Sequence, residues 1–294
     1  MKNEDLLKLS DLVVVDTQTQ YRTHACILGA FSLESYLVTI DTGDLLSVGV
    51  NFRREIEDYF NLSVKYIFLT HTNSDHRGGL EAFKDCTVIL SSKCIENTTK
   101  SLGLNKYTKV PFDVEYSLHE KNRSVIFTRI SGHTIGFSTA FYKEEKILFA
   151  GDLFITGKIN FGLPFLGFYQ NKPRRTGNPE EYLAAFEKFR KMDIEIIIPG
   201  HGDIISNPKE YLKEETNFFA TLKEHIKSEI ERCRTIEQCT LPDLERIHEA
   251  YKEAAKSSPP SRGKRFLDNY LDKLKISFYN YYKAQSVQSK SAKA

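Results

Sequence analysis

The sequence has no apolar run long enough to span a membrane, so a membrane-embedded protein is not expected. It has no C-x-x-C pair, and its odd number of cysteines, five, argues against a disulfide framework. The formal net charge is only +2, which predicts no strong attraction to nucleic acid over the whole surface. The opening residues Met-Lys-Asn-Glu-Asp lack the apolar stretch of a signal peptide. These absences together favour a soluble cytoplasmic protein.

The pattern of apolar residues divides the chain into two regions. With 294 residues, of which 40% are hydrophobic, the chain is long enough to bury a full core. Short apolar segments alternate with helical patterns in the first region, which predicts an α/β catalytic domain over residues 1–205. Apolar residues recur at helical spacing over residues 206–294, where we expect an all-helical extension. Within it, Thr240-Leu-Pro-Asp243 resembles a capping box that would begin a helix.

Four apolar segments of the first region each end at residues that can bind a metal. One segment runs into His71-Thr-Asn-Ser-Asp75-His76, and the two glycines that follow allow a tight turn into a helix. The other three each end in a glycine followed by a histidine or an aspartate. Because these side chains stand at comparable strand ends, we expect them to converge on one point. The predicted ligands are His71, Asp75, His76, His133, Asp152 and His201.

This arrangement resembles the metallo-β-lactamase superfamily, whose motif is His-x-His-x-Asp-His followed by a separate His, Asp and His. The superfamily includes the glyoxalase II and lactamase-like hydrolases. The resemblance covers roughly Leu12 to Ile205 and implies a four-layer αββα sandwich, to which the helical extension is added. One position departs from the motif, because Asn73 stands where the second histidine is expected.

The resemblance implies a site for two metal ions joined by one carboxylate. The first ion would take Asp75, His76 and His201, the bridge would be Asp152, and the second ion would take His71 and His133. The amide of Asn73 is a poorer ligand for zinc than an imidazole. We therefore expect one tightly bound Zn²⁺ with the second ion weak or absent, and iron or manganese stays open. By resemblance, Asp41 supports the metal loop from outside the ligand set.

The ligand set predicts a metal-dependent hydrolase. A bound metal lowers the pKa of its water to about 7, so a metal-bound hydroxide would attack an ester, thioester, lactone or lactam bond. Asp75 and Asp152 are the predicted catalytic residues, because they would orient the water and carry a proton to the leaving group. Asn73 either reflects drift at a site that needs one metal or offers its amide to the substrate, and both interpretations stay open.

The segment after Asp152 carries the candidate substrate contacts. It combines aromatic and cationic side chains over residues 157–177, which would suit a small anionic substrate. The alternative is a loop whose aromatic rings pack on the sheet while its charges are solvated. The candidate substrate-binding residues are Lys158, Phe161, Tyr169 and Arg174.

Two alternatives belong to other function classes. From Arg262 onward the chain has eight Lys or Arg against two Asp, interleaved with aromatic residues, which would suit a phosphodiesterase or endoribonuclease of the same superfamily that contacts RNA. A basic solvated helix face, or a homodimer contact through these helices, is the other interpretation of that region. A non-hydrolytic iron oxygenase is disfavoured, because its relatives use the pocket that Asn73 alters. A vestigial binding site is disfavoured because all ligands but one remain.

Overall fold

The computed structural model describes residues 6–97, 103–130, 132–157, 159, 161–163 and 179–291. These residues fall into two compact units, one built on β-sheets and the other on helices. In the part of the chain that is described, no helix combines the length and the apolarity needed to cross a bilayer. The predicted domain division after residue 205 and the cytoplasmic location stay predictions.

Two β-sheets form the frame of the first unit. The seven-stranded sheet follows the order of the chain, through β1 Leu6–Lys8, β2 Val13–Asp16, β3 Leu28–Ser32, β4 Leu37–Ile40, β5 Val64–Phe68, β6 Thr87–Ser91 and β7 Lys109–Phe112. Strands β1 to β4 pair antiparallel, and β4 to β7 pair in parallel. The five-stranded sheet has the reverse order of β8 Glu115–Glu120, β9 Arg123–Arg129, β10 Ser138–Tyr142, β11 Ile147–Ile155 and β12 Ile196–His201.

Eight α-helices are described, four in each unit. Those of the first unit are α1 Thr19–Arg22, α2 Leu46–Phe60, α3 Ser74–Arg77 and α4 Ser92–Asn97, and those of the second are α5 Pro179–Arg190, α6 Pro208–Glu231, α7 Glu245–Ala254 and α8 Pro260–Ser291. Two short 3-10 helices, Leu80–Phe83 and Leu104–Lys106, complete the first unit.

The alternation of side chains along each strand builds two separate cores in the first unit. Val13 and Val15 of β2 point into the space between the two sheets, where they join Phe127 of β9. Val14 points to the opposite face and joins the core that Phe52 of α2 completes. Successive strand residues face opposite sides of a sheet, so one run of valines can serve both cores. Each buried Phe contributes about 1.5–3 kcal/mol to folding. The predicted α/β sandwich with helices after it is confirmed.

Aromatic packing holds together three helices of the second unit. The ring of Phe219 on α6 lies 5.2 Å from the Tyr182 ring of α5 and 5.8 Å from the Phe278 ring of α8. Next to this cluster, Glu180 accepts a hydrogen bond of 2.7 Å from the Tyr282 hydroxyl. The helical pattern seen in residues 206–294 therefore reflects burial between helices.

The start of α7 differs from the sequence expectation. The helix begins at Glu245, and Leu244 is its extended N-cap residue, so the predicted capping box at Thr240 is wrong. The Thr240 hydroxyl lies 3.3 Å from Nε2 of His225 on α6, and its backbone N–H lies 3.4 Å from the Glu229 carboxylate. These tertiary contacts occupy the hydroxyl and the backbone N–H of Thr240, which a capping box would have used.

The aromatic residues of α8 bear on the RNA alternative. Tyr270, Phe278 and Tyr282 are buried, whereas Phe266 is 51% exposed. Base stacking requires exposed rings, and these three buried rings are not available for it. The RNA contact and the homodimer stay predictions, and the exposed cations of α8 are the part of the argument for RNA that remains.

Candidate metal centre

The turn after β5 places two predicted ligands on one short helix. Strand β5 ends at Phe68, and the chain passes through Thr70 and His71 before it enters α3, which carries Asp75 and His76. Asp75 and His76 are consecutive residues of this one-turn helix, so both lie close to the end of β5. This local geometry explains why the spacing of the motif is short.

The two glycines after α3 are required by a close approach of the backbone. A Cβ atom on Gly78 would lie 1.9 Å from the Asp44 carbonyl oxygen, and one on Gly79 would lie 2.1 Å from the Thr42 carbonyl oxygen. Both glycines have negative φ angles, −62° and −85°. The sequence indicated a tight turn, but the physical reason is that the segment after β4 passes directly against this point.

Four of the six predicted ligands form one group. Asp75 and His76 of α3, Asp152 of β11 and His201 at the end of β12 have donor atoms that all lie within 4.8 Å of one another. Nε2 of His76 is 3.1 Å from Oδ1 of Asp152, and Nε2 of His201 is 3.2 Å from Oδ2 of Asp75. Two imidazole nitrogens and two carboxylate oxygens at this separation are a donor set that zinc accepts.

The four donors differ in their access to solvent. His76 is fully buried and Asp152 nearly so, whereas the side chains of Asp75 and His201 are 30% and 13% exposed. The group is therefore open on the side of Asp75 and His201. Any substrate must approach the reacting atoms from that side.

The charges within this group shift the pKa values of its members. Burial opposes a positive charge on His76, but the acidic groups around it, Cys26, Asp152, Asp41 and Asp75, outweigh burial and raise its pKa well above the ordinary value. For Asp75, burial favours the neutral acid, but His76 and His201 outweigh it and lower the pKa. In the metal-free protein His76 therefore holds a proton at neutral pH that a bound metal must displace.

Asp41 contacts His76 on the ring nitrogen that faces away from the other three donors. Its Oδ2 lies 2.7 Å from Nδ1 of His76 and accepts the Thr70 hydroxyl at 2.8 Å, while its Oδ1 accepts the Thr70 backbone N–H at 2.9 Å. Asp41 is buried and has a φ of 57°, in the left-handed region that short polar residues tolerate best. The predicted position of Asp41 outside the ligand set fits these contacts.

Cys26 completes a second group of three with Asp41 and His76. Its thiol lies 4.0 Å from Oδ2 of Asp41. Burial raises the pKa of Cys26 to about 12, so it is a thiol at neutral pH. A thiol is not a metal ligand until it loses its proton, and Asp41 already accepts three hydrogen bonds. We therefore regard this group as a hydrogen-bonded support for His76.

The remaining two predicted ligands form a third group with Asp152. His71, His133 and Asp152 are buried, and their donor atoms also lie within 4.8 Å of one another. Nε2 of His71 is 3.8 Å from Oδ2 of Asp152. Asn73 lies directly before α3 with extended backbone, and its carbonyl oxygen accepts the His76 backbone N–H at 3.2 Å. The role of the Asn73 side chain stays open.

Of the four candidate substrate contacts, Phe161 is described, whereas Lys158, Tyr169 and Arg174 lie outside the described residues. The Phe161 ring lies 5.8 Å from the Phe266 ring of α8. It lines a cavity of about 1340 Å³ in the helical unit, together with Phe218 and Arg246. Phe218 and Arg246 lie outside the segment 157–177, and the role of Phe161 as a substrate contact stays a prediction.

Thr70, Cys26 and Arg246 escaped the sequence reasoning. A threonine directly before a metal-binding motif and a cysteine in an apolar segment give no signal of their own, since Asp41, which both contact, lies 29 and 15 residues away in the sequence. Arg246 lies in a helical pattern, where charged residues usually face solvent, so its buried contacts were not predicted.

Comparison with known proteins identifies the family. A model of the metallo-beta-lactamase superfamily matches residues 34–201 of the chain, a range that contains every member of the three groups except Cys26. The chain belongs to the metallo-beta-lactamase superfamily.

The relatives are distant. The Beta-lactamase-like protein 2 homolog of Caenorhabditis elegans is 25% identical over 201 residues, which cover 64% of this chain and 62% of that protein. The Hydroxyacylglutathione hydrolase of Bartonella quintana (strain Toulouse) is 26% identical over 168 residues, 56% of each chain. The chain thus spans less than two thirds of the length of these curated relatives.

Solved structures support the fold. A metallo-beta-lactamase from Pontibacter korlensis superimposes with a TM-score of 0.57 at 18% sequence identity, covering 73% of this chain and 98% of that one. A crystal structure of VMB-1 gives a TM-score of 0.56 at 20% identity, covering 73% of this chain and 95% of that one. At this level of identity the likeness concerns the fold alone.

Proposed function

We propose that this protein is a zinc-dependent hydrolase that acts on an ester, thioester, lactone or lactam bond. The observation that carries the proposal is the convergence of Asp75, His76, Asp152 and His201 within 4.8 Å, in a chain of a family that is usually metal-dependent and hydrolytic. We propose that this group binds one ion firmly. His71 and His133, with Asp152, would hold a second ion more weakly, because Asn73 replaces the imidazole that the motif would supply.

The hydrogen bonding of the buried atoms in this group indicates whether a metal ion fits there. Nε2 of His76 is buried and makes no hydrogen bond, while carboxylate oxygens of Asp152 and Asp75 lie 3.1 and 3.5 Å from it. A buried polar atom without a hydrogen bond costs about 1–3 kcal/mol, which a bound cation would offset. The donors are nitrogen and oxygen, with Cys26 kept as a thiol, which favours zinc over metals that need thiolate ligands.

A bound zinc ion would activate water at neutral pH and polarise the bond under attack. The protein residues supply the rest. Asp152 and His76 are buried and held in place, so they fix the geometry of the centre. Asp75 is the partly exposed carboxylate, so it can both orient water and pass a proton to a departing group at the open side. His201 lines the same opening and would contact the reacting end of the substrate.

The substrate class rests on weaker support. One relative is named as a hydrolase of hydroxyacylglutathione and another as a beta-lactamase-like protein. Both names fit the hydrolysis of an acyl bond. We propose a small anionic acyl compound as the substrate, with Lys158, Phe161, Tyr169 and Arg174 as its candidate contacts.

The test combines metal analysis with a substrate screen. Protein purified without added metal would be assayed on chromogenic lactam, lactone, thioester and phosphodiester substrates under zinc, manganese and iron. We expect zinc-dependent turnover of at least one acyl substrate, and Asp75→Asn should reduce it by about 10²–10⁴-fold, the usual contribution of a positioned acid or base.

The matched control replaces a carboxylate elsewhere. Asp11 is 89% exposed and pairs with Lys8, so Asp11→Asn should leave turnover unchanged. The proposal would be overturned by hydrolysis that survives both Asp75→Asn and removal of metal. Turnover confined to the phosphodiester would replace it with the nuclease alternative.

A further inference from the structure

The hydroxyl of Thr70 lies between three polar groups. Its Oγ1 atom is 2.8 Å from Oδ2 of Asp41, 3.1 Å from Nδ1 of His71 and 3.3 Å from Nδ1 of His76. The backbone N–H of Thr70 also donates to Asp41, through Oδ1 at 2.9 Å. Thr70 is fully buried, so water does not compete for these contacts.

Counting protons assigns the direction of each of these hydrogen bonds. A hydroxyl has one proton and two lone pairs, and a carboxylate only accepts. The Thr70 proton therefore goes to Asp41. The lone pairs of the Thr70 oxygen can then only accept hydrogen bonds. Nδ1 of His71 lies 3.1 Å from that oxygen, so Nδ1 must carry the proton of this hydrogen bond. Nδ1 of His76 lies 2.7 Å from Asp41 and must carry a proton for the same reason.

The proton on Nδ1 means that, in each neutral histidine, the other ring nitrogen is the one that carries a lone pair. Nε2 of His71 faces Asp152 at 3.8 Å, and Nε2 of His76 faces the same carboxylate at 3.1 Å. A metal can bind a neutral imidazole only through the nitrogen that lacks a proton. We propose that Thr70 is a positioning residue that, together with Asp41, fixes Nε2 of both His71 and His76 as the metal-binding nitrogen.

The packing of the Thr70 methyl group holds the hydroxyl in this orientation. A Cβ atom on Gly151 would lie 3.1 Å from both Cβ and Cγ2 of Thr70, so Gly151 leaves room for this side of the side chain. Gly151 has a φ of 48° and directly precedes the ligand Asp152. The methyl therefore packs against β11 while the hydroxyl points to Asp41 and the histidines.

The consequence for metal binding rests on the proposed function, but the protonation of the two rings does not. In a metal-binding protein, the loss of such an outer hydrogen bond lowers metal affinity by about 10–100-fold. Without the Thr70 hydroxyl, His71 would lose the acceptor that selects its tautomer, whereas His76 would keep Asp41. The effect on His71 should therefore be the larger one.

The experiment reads the tautomers directly by ¹⁵N NMR of histidine-labelled protein. Spectra would be recorded with zinc and, at alkaline pH, without it, and His71→Asn would assign the His71 signals. We expect His71 and His76 to be protonated at Nδ1 in the parent protein and in Thr70→Ser. Thr70→Val, which has nearly the same shape but no hydroxyl, should lose the fixed tautomer of His71. The affinity for the second, weaker zinc ion, which His71 would hold, should fall at least about tenfold in Thr70→Val, as measured by competition with a chelator at more than one equivalent of zinc.

Three outcomes would overturn the inference. The first is a His71 ring protonated at Nε2 in the unmodified protein, which needs no variant to fold. The second is a Thr70→Val protein that keeps both the tautomer and the zinc affinity. The third is a Thr70→Ser protein as weak as Thr70→Val, which would show that the methyl and not the hydroxyl matters. A protein that shows the expected tautomers but hydrolyses none of the substrates would refute the proposed function alone.

Discussion

Replacing Arg246 with methionine should destabilise the helical unit in a way that depends strongly on pH. Glu215 on α6 is fully buried, and its Oε1 lies 2.6 Å from Nη2 of Arg246 on α7. Arg246 also donates from Nε to the Gly162 carbonyl oxygen at 2.9 Å and lies over the Phe218 ring. Methionine keeps the apolar stem against Phe218 but removes the cation, so Glu215 would be left buried without its partner.

The size of the effect follows from the pKa of Glu215. Burial raises it above the ordinary value of 4.5, and Arg246 acts against that rise. In Arg246→Met the Tyr211 hydroxyl still lowers the pKa of Glu215, but the larger opposing effect of Arg246 is lost, so the pKa rises further and the folded state holds the proton to higher pH than the unfolded state does. At about pH 7.5 a fully protonated Glu215 would cost at most about 4 kcal/mol, since each pH unit above the ordinary pKa is worth about 1.4 kcal/mol, and the parent, whose Glu215 pKa is also raised, already carries part of that cost. Breaking a buried pair in other proteins costs about 3–5 kcal/mol.

The sign of the pH dependence is fixed by the raised pKa. The penalty is absent below the unfolded pKa and grows as the pH rises through the range up to the folded pKa. The free energy of unfolding, measured by urea denaturation with far-UV circular dichroism, should fall by up to about 4 kcal/mol at about pH 7.5 and by no more than about 1 kcal/mol at about pH 5, relative to the parent at each pH.

Two further variants complete this experiment. The double variant Glu215→Gln with Arg246→Met should lose the pH-dependent part of the effect, because no titrating group remains. Arg232→Met is the control, since Arg232 is 63% exposed and its partner Glu229 also binds Arg234, so its loss should be within about 1 kcal/mol. An equal loss for Arg246→Met at both pH values, or a double variant that titrates like the single one, would refute the reasoning.

Three other predictions concern the centre and its loop. Elemental analysis of protein purified without added metal should give closer to one zinc ion than two per chain. A firmly held pair of ions would contradict the unequal affinity of the two sites. Asn73→His should raise the occupancy of the second site in the same analysis. Zinc binding should release protons at neutral pH, because the pKa of His76 is raised in the metal-free protein, so affinity measured by calorimetry in several buffers should increase with pH. Gly78→Ala should unfold at a clearly lower urea concentration than the parent, since its Cβ would lie 1.9 Å from the Asp44 oxygen. Gly103→Ala is the comparison, because a Cβ there meets nothing within 4 Å but φ is 66°. It should cost only the strain of that backbone conformation, about 1–2 kcal/mol.

Local patterns in the sequence predicted an α/β region with its ligands at strand ends, whereas the αββα sandwich and the division of the ligands between two ions were implied by the resemblance to the family. His71 follows the end of β5 and His201 is the last residue of β12, so each of these strands carries its ligand to the end of its own sheet. The start of α7 could not be predicted, because the contact between Thr240 and His225 depends on how two helices pack. The same holds for Glu215 and Arg246, whose side chains meet in a buried pair between α6 and α7.

The supporting contacts of the centre also lay beyond sequence reasoning. Thr70 and Asp41 are 29 residues apart, and their hydrogen bonds form only once β4 and β5 lie side by side in register. The need for glycine at position 78 arises from the same pairing, which brings the chain after β4 against the end of α3. Long-range pairing of strands, which no local pattern encodes, therefore decides these details.

The unequal exposure of the four donors has a consequence for the rate of metal exchange. If the group holds an ion, Asp75 and His201 would be its solvent-facing donors, while His76 and Asp152 would hold it from the buried side. A chelator would then reach the ion from the side of the outer pair. The equilibrium affinity would depend on all four donors, whereas the rate of removal by a chelator would depend mainly on the outer two.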